Sequence, residues 1–194
     1  MSRTKPAQQR RADLLAAGQA LFVGKGIAAT TLEDITNGAG VSKGLFYQYF
    51  RSKEDLVFAL QEQFSNQFAD RIRAAAGAQT DWADKLDASV QASFECYRDL
   101  YELHEVLFRH SAHGAADTDH EPAHALLAQA LRELLQDGVA AGAFRVEDPE
   151  TTAVLFYVTM HAFDPNFHGS HRPTDARLVR ATQQLFRRAA GVTG

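Results

Sequence analysis

The chain is poor in cysteine, proline and tryptophan, with one, five and one of these residues among its 194. A single cysteine, Cys96, excludes a disulfide within the chain and is compatible with a reducing compartment. No apolar run reaches the 18 residues that a membrane-spanning helix needs, and the polar, basic start MSRTKPAQQRR lacks the apolar segment of a secretory signal. We therefore expect a cytoplasmic protein without membrane contact, and a buried, inert thiol at Cys96.

Motifs of nucleotide and redox chemistry are missing as well. The chain contains no P-loop, no G-x-G-x-x-G fingerprint and no C-x-x-C pair. The few prolines, and the lack of segments that alternate apolar and polar residues, predict an all-α fold, which argues against a nucleotide-binding fold. We therefore expect neither catalysis nor a cofactor.

Positive charge is concentrated at the start of the chain. Residues 1–53 hold eight lysines and arginines against three acids, a net charge of +5, whereas residues 54–194 hold twelve against twenty-one, a net charge of −9. Attraction to phosphates dominates the affinity of proteins for DNA, and an acidic segment is repelled by the same polyanion. The asymmetry predicts that the first 53 residues face a nucleic acid.

Two pairs of residues mark helix starts within residues 31–53, TLEDITNGAGVSKGLFYQYFRSK. Thr31 with Asp34, and Ser52 with Asp55, match the S/T-x-x-D pattern, in which a hydroxyl accepts a hydrogen bond from the backbone at a helix start. The segment is therefore predicted to contain a helix from about residue 31 and another from about residue 53.

A turn lies between these two starts. Gly40 can adopt a backbone conformation that costs other residues energy, and Ser42 can cap a short helix that follows it. Helix, glycine turn and second helix at this spacing are typical of a helix-turn-helix, whose second helix enters the major groove of DNA.

The segment AGVSKGxxYxYFxSKEDL, residues 39–56, resembles the DNA-binding signature of the TetR family of bacterial transcriptional regulators. The preceding stretch, residues 14–35, fits the helix that comes before it in that family. The resemblance implies an all-α fold of about nine helices. It also implies a three-helix helix-turn-helix domain at residues 1–53 and a helical effector-binding and dimerisation domain at residues 54–194.

The resemblance also assigns residues to DNA contact. The family's motif places them at Thr31, Ser42, Lys43, Gly44, Tyr47, Gln48, Tyr49 and Lys53. Lysine can donate to a base acceptor or a phosphate, the tyrosine hydroxyls to phosphates, and Gln48 can read an adenine edge. Leu45 departs from the threonine or small residue usual at its position. It either contacts a thymine methyl group or packs beside Tyr49, and we count it among the DNA-contact residues.

The last two predicted helices, about 149–163 and 174–189, resemble the pair through which family members dimerise. The residues predicted to take part are Ala153, Met160, Leu178, Ala181 and Leu185. The residues predicted to line an effector pocket are Phe94, Tyr97, Tyr101, Phe108, Phe156 and Tyr157. Their composition favours an apolar or aromatic effector, with ordinary core packing as the alternative.

Histidine is concentrated between residues 104 and 124, which hold five of the eight. The candidate metal ligands are His110, His113, His120 and His124, spaced three and four residues apart with acids between them. Zinc or nickel accepts imidazole and carboxylate ligands at such spacings. The alternative is a solvated polar loop that binds no metal, and that is the outcome we expect.

These features predict a ligand-responsive transcriptional regulator, most often a repressor in this family. As a homodimer it would bind a near-palindromic operator in double-stranded DNA and would be released by a small effector. A metal-responsive regulator using residues 104–124 is the first alternative. An enzyme with an appended DNA-binding domain is another. A nucleoid-type DNA binder without an effector is the third, and it would show weak sequence preference.

Overall fold

The structure, a computed structural model, describes residues 6–108, 123–164 and 174–192. Within these ranges the chain forms nine α-helices and no strand, as predicted. The helices are α1 Ala7–Lys25, α2 Leu32–Ala39, α3 Lys43–Phe46, α4 Lys53–Gly77, α5 Trp82–Asp99, α6 Tyr101–Phe108, α7 Ala123–Ala140, α8 Pro149–Met160 and α9 Asp175–Ala189. None of the described helices is long and apolar enough to cross a membrane.

The predicted length of the third helix, about 42–50, is wrong. Regular α-helix is confined to Lys43–Phe46, and turns follow it. The N–H groups of Gln48 and Tyr49 donate to carbonyls only three residues back, at 3.1 and 2.9 Å, which winds the chain more tightly than an α-helix. The 3.6-residue period therefore does not predict side-chain directions after Phe46. A similar tightening ends α8 at Met160, before the predicted residue 163.

The first compact unit contains α1, α2, α3, the start of α4 as far as Phe64, and α6. Its core is apolar because each helix contributes one apolar stripe. The side chains with no exposed surface in this unit include Leu14, Phe22, Ile35, Phe46 and Leu56. The functional division of the chain between residues 53 and 54 stays a prediction.

Within this first unit, α6 is held against α4 by one hydrogen bond and an aromatic cluster. The side-chain amide of Gln61, which is buried, donates to the carbonyl of Leu107 over 2.8 Å. The ring of Phe108 lies 5.3 Å from that of Phe64 and 5.1 Å from that of His104, centre to centre. Phe108 is thus part of the packing that fixes α6.

The second compact unit contains the rest of α4 from Ser65, together with α5, α7, α8 and α9. The rings of Phe156 and Phe186 stack at 3.6 Å and join α8 to α9. The guanidinium of Arg187 donates two hydrogen bonds, of 2.9 and 2.8 Å, to the carboxylate of Asp87 and so connects α9 to α5. Bidentate geometry of this kind fixes orientation as well as distance.

The end of α7 folds back through a close contact at Gly138. Its carbonyl accepts the N–H groups of Ala143 and Phe144 at 2.9 and 3.1 Å. This brings the Phe144 ring, which is 3% exposed, over the backbone of Gly138 and edge-on to Trp82 at 5.5 Å. A Cβ atom at residue 138 would overlap the Phe144 ring. Only glycine permits this approach.

Cys96 lies on the buried side of α5 with no exposed surface. Burial raises the pKa of its thiol to about 11, since the thiolate would lose its hydration. The expectation of a buried thiol is confirmed.

Candidate nucleic-acid interface

The turn between α2 and α3 is built as the sequence predicts. Gly40 adopts the left-handed conformation at φ 65°, and the N–H of Val41 donates to the carbonyl of Thr36 over 2.9 Å. The hydroxyl of Ser42 accepts the N–H of Leu45 at 3.2 Å and so starts α3. The turn is therefore closed by local hydrogen bonds, which fix the direction in which α3 leaves it.

Two buried phenylalanines anchor the α3 segment. Phe46 has no exposed surface and Phe50 is 3% exposed, and their rings lie 5.6 Å apart. Tyr47, between them, is 58% exposed and meets Phe46 edge-on at 5.6 Å. Tyr49 is half-buried. The anchor presents the remaining side chains of this segment outwards from a rigid base.

We call the exposed residues of this segment the α3 surface. Its members are Ser42, Lys43, Gly44, Tyr47 and Gln48. Hydroxyl, ammonium, phenol and amide groups supply hydrogen-bond donors for phosphates and base edges. A Cβ on Gly44 would meet only the Ser42 hydroxyl, at 3.9 Å, so the backbone there is open to close approach. Leu45 and Tyr49 are half-buried.

The hydroxyl of Thr31 is engaged within the protein. It accepts the Asp34 N–H at 3.1 Å, and the backbone N–H of Thr31 donates to the Asp34 carboxylate at 2.8 Å, which completes a capping box. The hydroxyl also donates to the same carboxylate, at 2.7 Å. The ammonium of Lys25 also contacts the Asp34 carboxylate, at 2.7 Å. Hydrogen bonds from Lys25 and Thr31 lower the pKa of Asp34 well below its ordinary value. Thr31 thus caps α2, and its proton is already committed when DNA approaches.

Lys53 has a structural partner that the sequence did not reveal. Its ammonium donates to the carbonyls of Ile27 and Thr30, at 2.8 and 3.0 Å, and so fastens the start of α4 to the loop between α1 and α2. Both carbonyls lie outside regular helix. The carbonyl of Ile27 also accepts the N–H of Thr30 at 3.2 Å, so the carbonyl of Thr30 depends more on the lysine. A contact between Lys53 and DNA stays a prediction, and it would have to use the one remaining ammonium proton.

Replacing Lys53 by methionine is expected to lower the free energy of unfolding by about 1–2 kcal/mol, because the partly buried carbonyl of Thr30 loses the lysine donor and that of Ile27 loses one of its two donors. Chemical denaturation measures this change. The matched control is Lys43→Met, which removes a 60% exposed lysine and should change the free energy of unfolding by less than about 0.5 kcal/mol. Equal, small losses in both variants would contradict the structural role of Lys53.

The cations that were counted in the net charge but not assigned to DNA contact include Arg10, Arg11 and Arg51. Arg11 lies over the Phe50 ring at 5.3 Å, next to the α3 anchor. Arg51 is exposed, while its backbone N–H donates to Asp55 at 2.7 Å. The family's motif does not include these residues, because their charge is their only recognisable feature and they have no fixed spacing.

The turn also spells a hydrolase-like pattern, G-x-S-x-G, at residues 40–44. In hydrolases this pattern needs a strand before the serine and a helix after it, so that the serine is held exposed at a strained turn. Here α2 precedes the serine, and Ser42 is the N-cap of α3. The pattern therefore belongs to the helix-turn-helix.

The candidate metal ligands His110, His113 and His120 lie outside the described residues, and so does the side chain of His124. Residues 120–124 also spell H-E-x-x-H, a zinc motif that requires both histidines on one helix. Pro122 at its centre is unfavourable inside a helix. Among the described residues, no cluster of histidine, cysteine and acids could hold a metal ion.

Three of the predicted pocket residues contact other rings, and a fourth is half-buried. Phe156 stacks on Phe186, and Phe108 lies in the α6 cluster. Phe94 is 6% exposed, with its ring 5.4 Å from that of Phe163. Tyr101 is half-buried.

The other two predicted pocket residues are tyrosines. Tyr97 is 8% exposed, and Tyr157 is half-buried. Burial raises the pKa of the Tyr157 hydroxyl. A pocket role for any of the six residues stays a prediction.

The predicted dimerisation residues divide into two groups. Ala153, Met160 and Leu178 are at most 9% exposed, because they form the core of their own unit. They offer little surface in the single chain, and their role in dimerisation stays a prediction. Ala181 and Leu185 are exposed, Leu185 to 50%.

The outer face of α8 carries apolar residues that the sequence analysis did not name. Val154, Leu155 and Val158 are 46%, 59% and 56% exposed. We call these three, with Ala181 and Leu185 of α9, the α8–α9 face. The signal for it was available, because the sequence PETTAVLFYVTM is apolar on nearly all sides and a helix of that kind needs cover on both faces.

Comparison with known proteins agrees with the helix-turn-helix. Residues 14–60 match the family model of bacterial regulatory proteins of the tetR family. The transcriptional activator FasR of Mycolicibacterium smegmatis is 36% identical over 90 residues, which cover 46% of this chain and 41% of FasR. The transcriptional repressor KstR2 of the same organism is 29% identical over 158 residues, 79% of this chain and 75% of KstR2.

The whole fold also has counterparts among solved structures. The transcriptional regulator FadR from Bacillus subtilis, solved in complex with stearoyl-CoA, superposes with a TM-score of 0.72 over 94% of this chain and 99% of FadR. At 16% identity this likeness shows the fold alone. The match to FasR spans less than half of that protein's length, and the match to KstR2 spans three quarters. Residues 14–60 thus match the tetR family of bacterial regulatory proteins, and the described fold resembles that of solved TetR-family transcriptional regulators.

Proposed function

We propose that this protein is a ligand-responsive repressor that binds a near-palindromic operator as a homodimer and is released by a small apolar effector. The observation that carries the proposal is the α3 surface, where Lys43, Tyr47 and Gln48 stand exposed on a base fixed by Phe46 and Phe50. A rigid base matters because donors that are already oriented lose little entropy on meeting a base edge.

Dimerisation is supported by the α8–α9 face. Four large apolar residues of this face are each at least 46% exposed to solvent: Val154, Leu155, Val158 and Leu185. An apolar surface of this kind is unfavourable in water unless a partner covers it. A second copy is the occupant we propose, because one helix-turn-helix reads few bases and a twofold pair reads two half-sites. An isologous contact would place the same face on both protomers.

Repression and an apolar effector rest on the relatives and on side-chain chemistry. KstR2 is a repressor, whereas FasR is an activator. KstR2 is matched over the larger share of this chain, which favours repression. FadR was solved with stearoyl-CoA, so a related fold accommodates a long apolar chain. The aromatic residues Phe94, Tyr97 and Tyr157 of the second unit would suit the apolar part of such a ligand.

Selection from a random duplex library tests the proposal, because it finds the operator by affinity alone. We expect enrichment of a near-palindrome whose half-sites lie about one or more helical turns apart, some 34–36 Å per turn. Fluorescence anisotropy on the selected duplex should then show binding that weakens steeply with salt, and an acyl-CoA series should release it. Recovery of no common sequence would contradict the proposal and favour the nucleoid-type alternative.

A further inference from the structure

One residue of the α3 surface, Lys43, forms an ion pair with Glu33 of α2. The ammonium of Lys43 lies 3.8 Å from the carboxylate of Glu33, and these side chains are 60% and 71% exposed. Lys43 is the first residue of α3, and Glu33 is the second residue of α2. An acid thus stands beside the cation at the start of the segment that is proposed to enter the groove.

This ion pair differs from the other two lysine contacts of the first unit. Lys25 and Lys53 bind groups that shape the loop between α1 and α2, at 2.7–3.0 Å. The pair of Glu33 and Lys43 is longer, more exposed and bonded to nothing else in the described part of the chain. Exposed pairs of this kind contribute little to stability. The ion pair therefore matters mainly for which ligands Lys43 binds.

A carboxylate beside the ammonium changes which ligands Lys43 accepts. A phosphate that approaches Lys43 also approaches Glu33, and the two anions repel each other. The guanine acceptors O6 and N7 carry no formal charge, so they can accept a hydrogen bond from the ammonium while the ion pair persists. Repulsion against the wrong ligand is as effective for specificity as attraction to the right one.

We propose that Glu33 is a specificity residue, which directs Lys43 to a base acceptor by penalising its contact with phosphates. The inference rests on the proposed DNA-binding function. Glu33 acts through Lys43 and is thus a positioning residue, whose removal should help binding to non-specific DNA more than binding to the operator.

The variant Glu33→Gln tests this directly, because it keeps the side-chain shape and removes the charge. We expect non-specific affinity, measured on a scrambled duplex, to rise roughly 3- to 10-fold, while operator affinity changes less than about 2-fold. The slope of log K against log salt for scrambled DNA should steepen by about 0.9, the value for one further phosphate contact. Thermal unfolding should be unchanged, which separates the effect from folding.

Two controls separate the proposed route from simple loss of negative charge. Glu62→Gln makes the same charge change at an exposed position of α4, nine residues from its start and so about 14 Å along the helix. It should leave the ratio of operator to non-specific affinity unchanged. In a Lys43→Gln background, Glu33→Gln should no longer steepen the salt slope, because the cation that it would release is absent.

Three results would overturn the inference. The first is an unchanged affinity ratio in Glu33→Gln, and the second is a rise equal to that in Glu62→Gln. The third is a large loss of operator affinity, which would mean that Glu33 itself accepts a hydrogen bond from a base such as cytosine. The proposed function is tested separately with the wild-type protein. If the wild-type protein prefers no duplex sequence, the proposed function fails and the role of Glu33 fails with it.

Discussion

Replacing Leu155 by aspartate is expected to convert the protein to a monomer and to weaken operator binding by roughly 100-fold or more, since a dimer contact buries the residue in both copies. Leu155 is 59% exposed in the single chain, more than Val154, Val158 or Leu185 of the α8–α9 face. An aspartate there would be stripped of water against apolar side chains without a partner cation. Because of the twofold symmetry, the cost is incurred twice.

The oligomeric state is measured by sedimentation or light scattering, and the operator titration follows at the same protein concentrations. Gln136→Asp is the matched control, because it adds the same charge at an exposed, polar position of α7 in the same unit. It should remain dimeric and bind normally. A Leu155→Asp protein with the mass of a dimer would show that another surface forms the contact.

Gly138→Ala is expected to destabilise the protein by about 2–3 kcal/mol, although alanine is ordinarily the better helix former by about 1 kcal/mol. The added Cβ would overlap the ring of Phe144, which is held by backbone hydrogen bonds and by its contact with Trp82. The ring cannot move aside without opening the end of α7. Calorimetry should show a fall of the melting temperature by roughly 5 °C or more.

Gly24→Ala provides the control for Gly138→Ala. Gly24 is also within a helix, and a Cβ there would meet nothing within 4 Å. This variant should be neutral or more stable by up to about 1 kcal/mol. The double variant Gly138→Ala with Phe144→Leu should recover part of the loss, because a smaller side chain relieves the overlap. Equal stabilisation in both alanine variants would refute the close contact.

The helix-turn-helix could be predicted in detail because its signals are local. A hydroxyl three residues before an acid, and a glycine before a serine, act within one turn of chain, and the structure places Thr31, Gly40 and Ser42 as their types predict. The predicted length of α3 was wrong because no distinct residue type marks the tight turns after Phe46. The partner of Lys53 was missed because Ile27 and Thr30 are more than 20 residues away in sequence.

The second unit was predicted less well, for a related reason. In α8 both faces are apolar, so periodicity alone cannot say which face is inside. Ala153 and Met160, which were predicted to meet a partner, are buried within the single chain, whereas Leu155 and Val158 are exposed. That choice is made by contacts such as Phe156 on Phe186, which join α8 to α9.

The burial of Cys96 makes the protein well suited to spectroscopy. With a thiol pKa of about 11, roughly three in ten thousand molecules carry the reactive thiolate at pH 7.5, and the sulfur has no exposed surface besides. A new cysteine placed on α1 or on the α3 surface would therefore react with a maleimide dye or a spin label while the native thiol stays silent. One label per protomer would then report the distance between the two DNA-binding domains of a dimer, with and without ligand, in an otherwise unaltered chain.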